Sequence, residues 1–269
     1  MPNNQKNLSK GFVFVATKYE SFLKAANFLA ETILDYMPDA KITLFTEQIF
    51  LEDHQCQTYF NHFDKVLPTP SDTNREKMWG MSNTPYDITM YMDVDMEVVH
   101  EDIVTLWDQL EDNDMKFVNL TKQGARHFKN WSWGDNILDE GYKGNNPQHL
   151  THCGGVCLYN STNKLVKEFM MDWYKLFLMQ RCKTWSPEVY KEIRDDFLVW
   201  DQLTLWYLLW HEPKYKELKW SFFKENYRWN YYSSFGLPWT GPNEFIQKPP
   251  IIQHYSSGMD KYGAKGIIS

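Results

Sequence analysis

The chain has 269 residues, enough for one α/β domain or one domain with a large insertion. Apolar residues make up 43% and the formal net charge is -7, so a disordered polymer is excluded and no basic face for general nucleic-acid binding is in view. Aromatics reach 17%, with 12 Trp, which offers flat surfaces for stacking as well as a large aromatic core.

Gly11 to Ala16 is a continuous apolar run, as a strand buried on both faces requires. Lys18 to Tyr36 then places Phe22, Ala25, Ala26, Leu29, Ile33 and Tyr36 on one helical face, and Pro38 marks its end. Lys41 to Thr46 and Lys65 to Leu67 read as strands, followed by a turn at Pro68 and Pro70. Asp72 to Ser82 reads as a helix with Asp72 as its cap. Asp87 to Met92 is a strand that runs into Asp93-Val94-Asp95, with Met96 to Val99 extended and Glu101 to Leu110 helical.

Met115 to Leu120 is a further strand. Thr121 to Thr151 breaks the pattern with several Gly and Asn, and Gly155 to Tyr159 resumes it. Helices follow over Thr162 to about Met179 and about Asp195 to Leu209, then an aromatic, turn-rich tail from Trp220. The alternation of strand and helix predicts an open, mostly parallel sheet with helices on both faces. Ligands in such sheets bind beyond the carboxyl ends of the strands, where Asp93 falls. With no repeat or linker, residues 1–269 read as one domain, with 1–10 flexible.

Cys56, Cys153, Cys157 and Cys182 form no CxxC pair, which predicts reduced thiols. Residues 1–10 are polar and no apolar run approaches the ~20 residues of a membrane span, so a cytoplasmic location without a transmembrane segment is expected.

Two carboxylates at Asp93 and Asp95 are flanked by apolar residues. Burying both is costly unless a cation compensates, and hard oxygen ligands suit Mn2+ or Mg2+. The plainer reading is a strand end whose carboxylates are satisfied by backbone amides. Asp112-Asn113-Asp114 repeats the spacing in a polar loop and is read as a decoy. His254 follows an apolar strand at Pro250 to Ile252; it suits either a metal ligand or a core histidine. Gly258 would let backbone amides approach a phosphate, with Lys261 close behind.

In this order the motifs resemble the glycogenin-like family of retaining glycosyltransferases, which have the GT-A fold. Tyr91 to Val99 resembles its Asp-x-Asp strand, Cys153-Gly154-Gly155-Val156-Cys157 its glycine-containing strand, Asp201-Gln202 its Asp-Gln segment, and His254 to Lys261 its C-terminal stretch. The resemblance implies metal ligation by Asp93, Asp95 and His254. It implies that Gly258 and Lys261 meet the diphosphate, Gly154 and Gly155 approach the donor sugar, and Asp201 and Gln202 face the reacting sugar. The donor site would also take in Val94. A UDP-hexose donor and a carbohydrate or other glycosyl acceptor follow as expected partners. The chain departs from the family with Cys153 where Asn is usual, one more residue between His254 and Gly258, and Tyr262-Gly263 in place of Pro-Trp. The long first helix and the Asp-Val-Asp-Met run also resemble the blood-group transferase family.

At the end of the first strand lie Ala16, Thr17 and Tyr19. Thr17 suits bonding a base or ribose, or capping the helix; Tyr19 suits stacking. Arg75 and Lys77 precede the central strand, and Lys77 reads either as a donor contact or as a solvated charge. Trp131, Trp133, Trp229 and Trp239 are candidates for acceptor stacking or for core. A nucleotidyltransferase would carry glycines after strand one, and Thr17-Lys18-Tyr19 has none. The same fold could also serve a non-catalytic carbohydrate-binding protein, and Asp93 with Asp95 could serve a metal phosphohydrolase.

Overall fold

The structure is a computed structural model and describes residues 8–73, 76–119, 152–193, 198, 200–232 and 248–255. Its main sheet contains β1 (Lys10–Ala16), β2 (Ile42–Thr46), β3 (Lys65–Pro68), β4 (Ile88–Met92), β6 (Met115–Asn119), β7 (His152–Asn160) and β8 (Trp220–Phe222). The strand order is β3-β2-β1-β4-β7-β6-β8. Strands β3, β2, β1 and β4 pair in parallel, as do β6 and β8, and β7 alone runs against its neighbours. This is the mostly parallel α/β sheet that the strand–helix alternation predicts.

The apolar runs are buried on both faces because each face carries its own core. Along β1, Phe12, Phe14 and Ala16 join one core and Val13 the other. Along β4, Met90 and Met92 face the first core and Tyr91 the second. Helix α1 (Glu20–Tyr36) covers the first face through Leu23, Ala26, Leu29 and Ile33. Helices α3 (Lys77–Ser82), α4 (Lys164–Arg181) and α5 (Asp201–Trp210) cover the second; the short α2 (Gln48–Glu52) buries none of its residues. Burying some 50 apolar side chains in this way supplies the main driving force for folding.

Helix α5 is apolar around most of its circumference. Leu205 and Leu208 pack toward α4, while Leu203 and Trp206 pack into a third cluster with Tyr190 and Ile193. Its start is fixed by buried Gln180 of α4, whose amide donates to the carbonyls of Leu198 (2.7 Å) and Trp200 (3.1 Å).

Several boundaries differ from the sequence reading. The helix expected from Asp72 begins at Lys77, and Asp72 does not cap it. The Glu76 carboxylate instead accepts from Ser71 Oγ (2.5 Å) and Thr73 Oγ1 (3.1 Å), which holds that turn. Glu101–Leu110 is a 3-10 helix capped by His100 Nδ1. Helix α4 starts after Asn163, whose Oδ1 accepts from the Leu165 amide. The helix expected from Asp195 begins at Asp201, with residues 194–197 and 199 outside the described set.

A second, small sheet has the order β5-β10-β9, from β5 (Met96–Val98), β9 (Tyr231–Tyr232) and β10 (Ile252–His254). Strand β10 pairs antiparallel with β5, placing His254 opposite Met96, one residue from Asp95.

Candidate active site

Asp93 follows the last residue of β4, at the carboxyl edge of the parallel strands. Asp95, two residues on, sits in the bend between β4 and β5, and its carboxylate reaches the same region. The Tyr255 amide donates to the Asp95 carbonyl (2.9 Å), and this brings His254 alongside. His254 Nε2 lies 3.2 Å from Asp95 Oδ1, and its side chain is only 4% exposed. The ligand atoms of Asp93, Asp95 and His254 lie within 4.8 Å of one another. Adjacent ligands on an octahedral ion with ~2.1 Å bonds sit on the order of 3 Å apart, so the Asp95–His254 spacing fits one ion. Two carboxylate oxygens and an imidazole nitrogen are a donor set suited to Mn2+ or Mg2+. Burial presses the Asp95 carboxyl upward, but the His254 imidazole outweighs it and holds Asp95 below its ordinary value.

Asp93 is held on several sides. Its amide donates to Gly155 O (2.8 Å), and its Oδ1 accepts from the Tyr91 hydroxyl (2.7 Å). Burial pushes the Tyr91 phenol well up, so it stays protonated and serves as a donor. In the sequence Tyr91 stands out only as part of a motif; its contact with Asp93 joins the end of β4 to the residue that follows it.

Lys77 is not a solvated charge. At 6% exposure, its Nζ lies 2.7 Å from Asp201 Oδ2 and 3.6 Å from Asp93 Oδ1. Asp201 is itself 2% exposed, in the first turn of α5, where a carboxylate complements the helix dipole. Gln202 follows it and is half-buried.

The glycine pair sits in a bulge. Between β6 and β7 the pairing jumps from Phe117↔Cys157 to Val118↔Cys153, so β7 carries extra residues there while Val156 still pairs with Met92. The bulge pushes Gly154 and Gly155 into the site. A Cβ on Gly155 would stand 2.6 Å from Asp93 Oδ2, and one on Gly154 2.9 Å from Trp173 and 3.4 Å from Asp201 Oδ2. Only glycine permits this approach.

Beside the carboxylates opens a cleft of about 190 Å³. Val15, Phe22 and Val94 form an apolar wall, and Thr17, Lys77 and the two aspartates contribute polar groups. Thr17 does not cap α1, whose N-cap is Tyr19 with no side-chain cap bond. Its hydroxyl donates to Thr73 O (2.7 Å) and so ties the cleft wall to the turn before α3. Lys18 takes a left-handed φ of 78°, and its amide is held by the Glu47 carboxylate. Tyr19, 51% exposed, stands against Phe22 near the cleft. Ala16 is fully buried and its carbonyl accepts from Thr46 Oγ1 (2.6 Å).

Asp114, of the decoy pair, accepts from Asn163 Nδ2 and the Lys219 amide, a structural role with partners outside the cluster. Trp229 is core, 2% exposed and stacked on Phe223. Gly258, Lys261, Arg75, Trp131, Trp133 and Trp239 lie outside the described residues.

No family sequence model matches the chain, and no curated protein matches it in sequence. Solved structures do match it. The bifunctional glycosyltransferase WbbM superposes with a TM-score of 0.56 at 14% identity, covering 94% of this chain and 47% of WbbM, so the chain spans about half of that protein. The galactosyltransferase LgtC, solved with donor and acceptor sugar analogs, gives a TM-score of 0.51 at 17% identity, covering 96% of this chain and 93% of LgtC. Mouse xyloside xylosyltransferase 1 gives 0.51 at 12% identity, covering 92% of this chain and 98% of that protein. At these identities the likeness speaks to architecture alone, the α/β GT-A fold that these solved structures share with the chain.

Proposed function

We propose that the chain is a metal-dependent glycosyltransferase that moves a hexose from a nucleotide-diphosphate sugar, UDP-linked, to an acceptor hydroxyl with retention at the anomeric carbon. The observation that carries this reading is the convergence of Asp93, Asp95 and His254 beside the Lys77–Asp201 pair, at the carboxyl edge of the sheet.

In this reading the nucleoside sits in the cleft against Thr17, Phe22 and Val94, with Ala16 and Tyr19 at its margin. The bond from the anomeric carbon to the diphosphate oxygen breaks and one to the acceptor oxygen forms, with the acceptor proton leaving to the diphosphate or solvent. A divalent ion held by Asp93, Asp95 and His254 would neutralise charge on the departing diphosphate as a Lewis acid. Gly258 and Lys261 are assigned to the same phosphates. Gly154 and Gly155 admit the sugar ring close to the backbone. Asp201 and Gln202 face the electron-poor ring, Asp201 as stabiliser or weak nucleophile. Lys77, 2.7 Å from Asp201 Oδ2, orients that carboxylate for the task.

A thermal-shift panel of nucleotide sugars with and without Mn2+ tests this. The expected result is a rise in melting temperature with one UDP-hexose that requires Mn2+, because a ligand selective for the folded state stabilises it, and its loss in Asp95→Ala. Incubation of that donor with Mn2+ should then release UDP. Absence of any metal-dependent shift would overturn the proposal, and metal-dependent binding without UDP release or transfer would leave a binding protein.

A further inference from the structure

We propose that Asn230 is the positioning residue of the candidate metal ligand His254, and that through Cys153 it ties this ligand to the glycine bulge under Asp93. The inference rests on the reading of Asp93, Asp95 and His254 as a metal site.

Asn230 precedes β9, the strand that pairs in parallel with β10. It is 6% exposed, and a buried amide must find partners for both its ends. Its Oδ1 lies 2.8 Å from His254 Nδ1, and its Nδ2 lies 3.4 Å from Cys153 Sγ. An amide oxygen can only accept, so Nδ1 is the donor in this contact. The other ring nitrogen, Nε2, faces Asp95 Oδ1 at 3.2 Å, where a bound cation would take its lone pair in place of a proton. A metal-bound imidazole needs such a partner on its second nitrogen to fix its tautomer and ring plane.

Cys153 completes the connection. Its thiol is 2% exposed, pushed up to about 12 by burial, and therefore a neutral thiol. Its sulfur also accepts from the Gly155 amide at 3.4 Å. Gly155 in turn accepts from the Asp93 amide and lies against its carboxylate. The contacts run in a ring from Asp95 through His254, Asn230, Cys153 and Gly155 to Asp93. One asparagine thus sets the imidazole relative to both carboxylates, which lie on the connection from β4 of the main sheet to β5 of the small one.

The test titrates residues 1–269 with Mn2+ alone, without nucleotide, and follows the free-ion signal by electron paramagnetic resonance. Asn230→Leu keeps the volume and removes both hydrogen bonds; it is expected to weaken Mn2+ binding by about 10- to 100-fold. Asn230→Asp keeps an acceptor for Nδ1 and is expected to hold affinity within about threefold of the wild type. A merely structural role would lower the melting temperature of both variants alike without this split. Should Asn230→Leu not fold, Asn230→Ser, too short to span the contact, is read in its place. Wild-type Mn2+ binding that Asp95→Asn abolishes but Asn230→Leu or Asn230→Ser leaves intact overturns this inference alone. Wild-type binding that is absent, or that Asp95→Asn leaves unchanged, overturns the metal site and this inference with it.

Discussion

Replacing Lys77 with methionine removes an ammonium from between two carboxylates while keeping most of the side-chain volume. At an effective dielectric constant of about 20, charges at the 2.7 Å separation of Lys77 and Asp201 attract by about 6 kcal/mol before desolvation is counted. Most of that gain offsets the transfer of both ions out of water, so the pair itself contributes little net stability. The asymmetry lies in removing one partner. Asp201, 2% exposed, would lose that cation, and a broken buried pair costs about 3–5 kcal/mol. At roughly 2–3 °C per kcal/mol for a chain of this size, Lys77→Met should melt about 6–15 °C lower than wild type. Lys77→Met/Asp201→Asn should recover most of the loss, since a neutral amide no longer demands a counter-charge. Guanidinium unfolding followed by tryptophan fluorescence at pH 7 reads both values, and the low exposure predicts little screening by salt. A loss under about 1 kcal/mol for Lys77→Met, or a double variant whose loss equals the sum of the two singles, would refute a buried, coupled pair.

Gly155→Ala puts a Cβ 2.6 Å from Asp93 Oδ2, so the bulge or the carboxylate must move; we expect about 1–3 kcal/mol of destabilisation and weaker Mn2+ binding, read by melting and by titration. Tyr91→Phe removes the donor to Asp93 Oδ1 and should cost about 1–3 kcal/mol in urea unfolding, whereas an unchanged midpoint would show that the bond is idle. The Arg228 guanidinium, 2.5 Å from Asp102, holds that carboxyl below its ordinary value of 3.8. Its stabilisation is therefore present above the unfolded value and lost as pH falls through the lower folded one. Wild type should exceed Asp102→Asn by at most about 1 kcal/mol at pH 7, the aspartate being 41% exposed, and the gap in urea midpoints should close as pH drops below about 4.

β1, β2 and β4 are legible in the sequence because each is a short apolar run buried on both faces, which fits their parallel pairing; β7 is as apolar but runs against its neighbours, a direction its residues do not reveal. The Asp93–Asp95 site is legible because charges at the end of an apolar strand need a reason. Lys77 is not distinguishable there from a surface charge, since its neighbours Glu76 and Arg75 read as a polar helix face. Only the tertiary arrangement shows that α3 turns this lysine toward Asp201, which lies more than a hundred residues on. Asn230 escapes a reading of the sequence, yet it leaves a signal: one amide in the aromatic run Trp229-Asn230-Tyr231-Tyr232, where a buried polar group must have partners. The bulge around Gly154-Gly155 reads as a regular strand start, because pairing register does not show in a single strand. Helix starts shift by a few residues at Lys77, Lys164 and Asp201 because side-chain bonds from Glu76, Asn163 and Gln180 fix the ends.

The small sheet has a consequence for assembly. Its contacts join segments far apart along the polypeptide, as the Tyr255 hydroxyl on Glu97, 158 positions away, makes plain. A chain that has folded only through its first half would hold two aspartates with no imidazole between them. An ion captured at this place would therefore act as a clasp across one of the largest loops in the molecule, and loss of the ion would loosen the C-terminal strand before it loosened the parallel core.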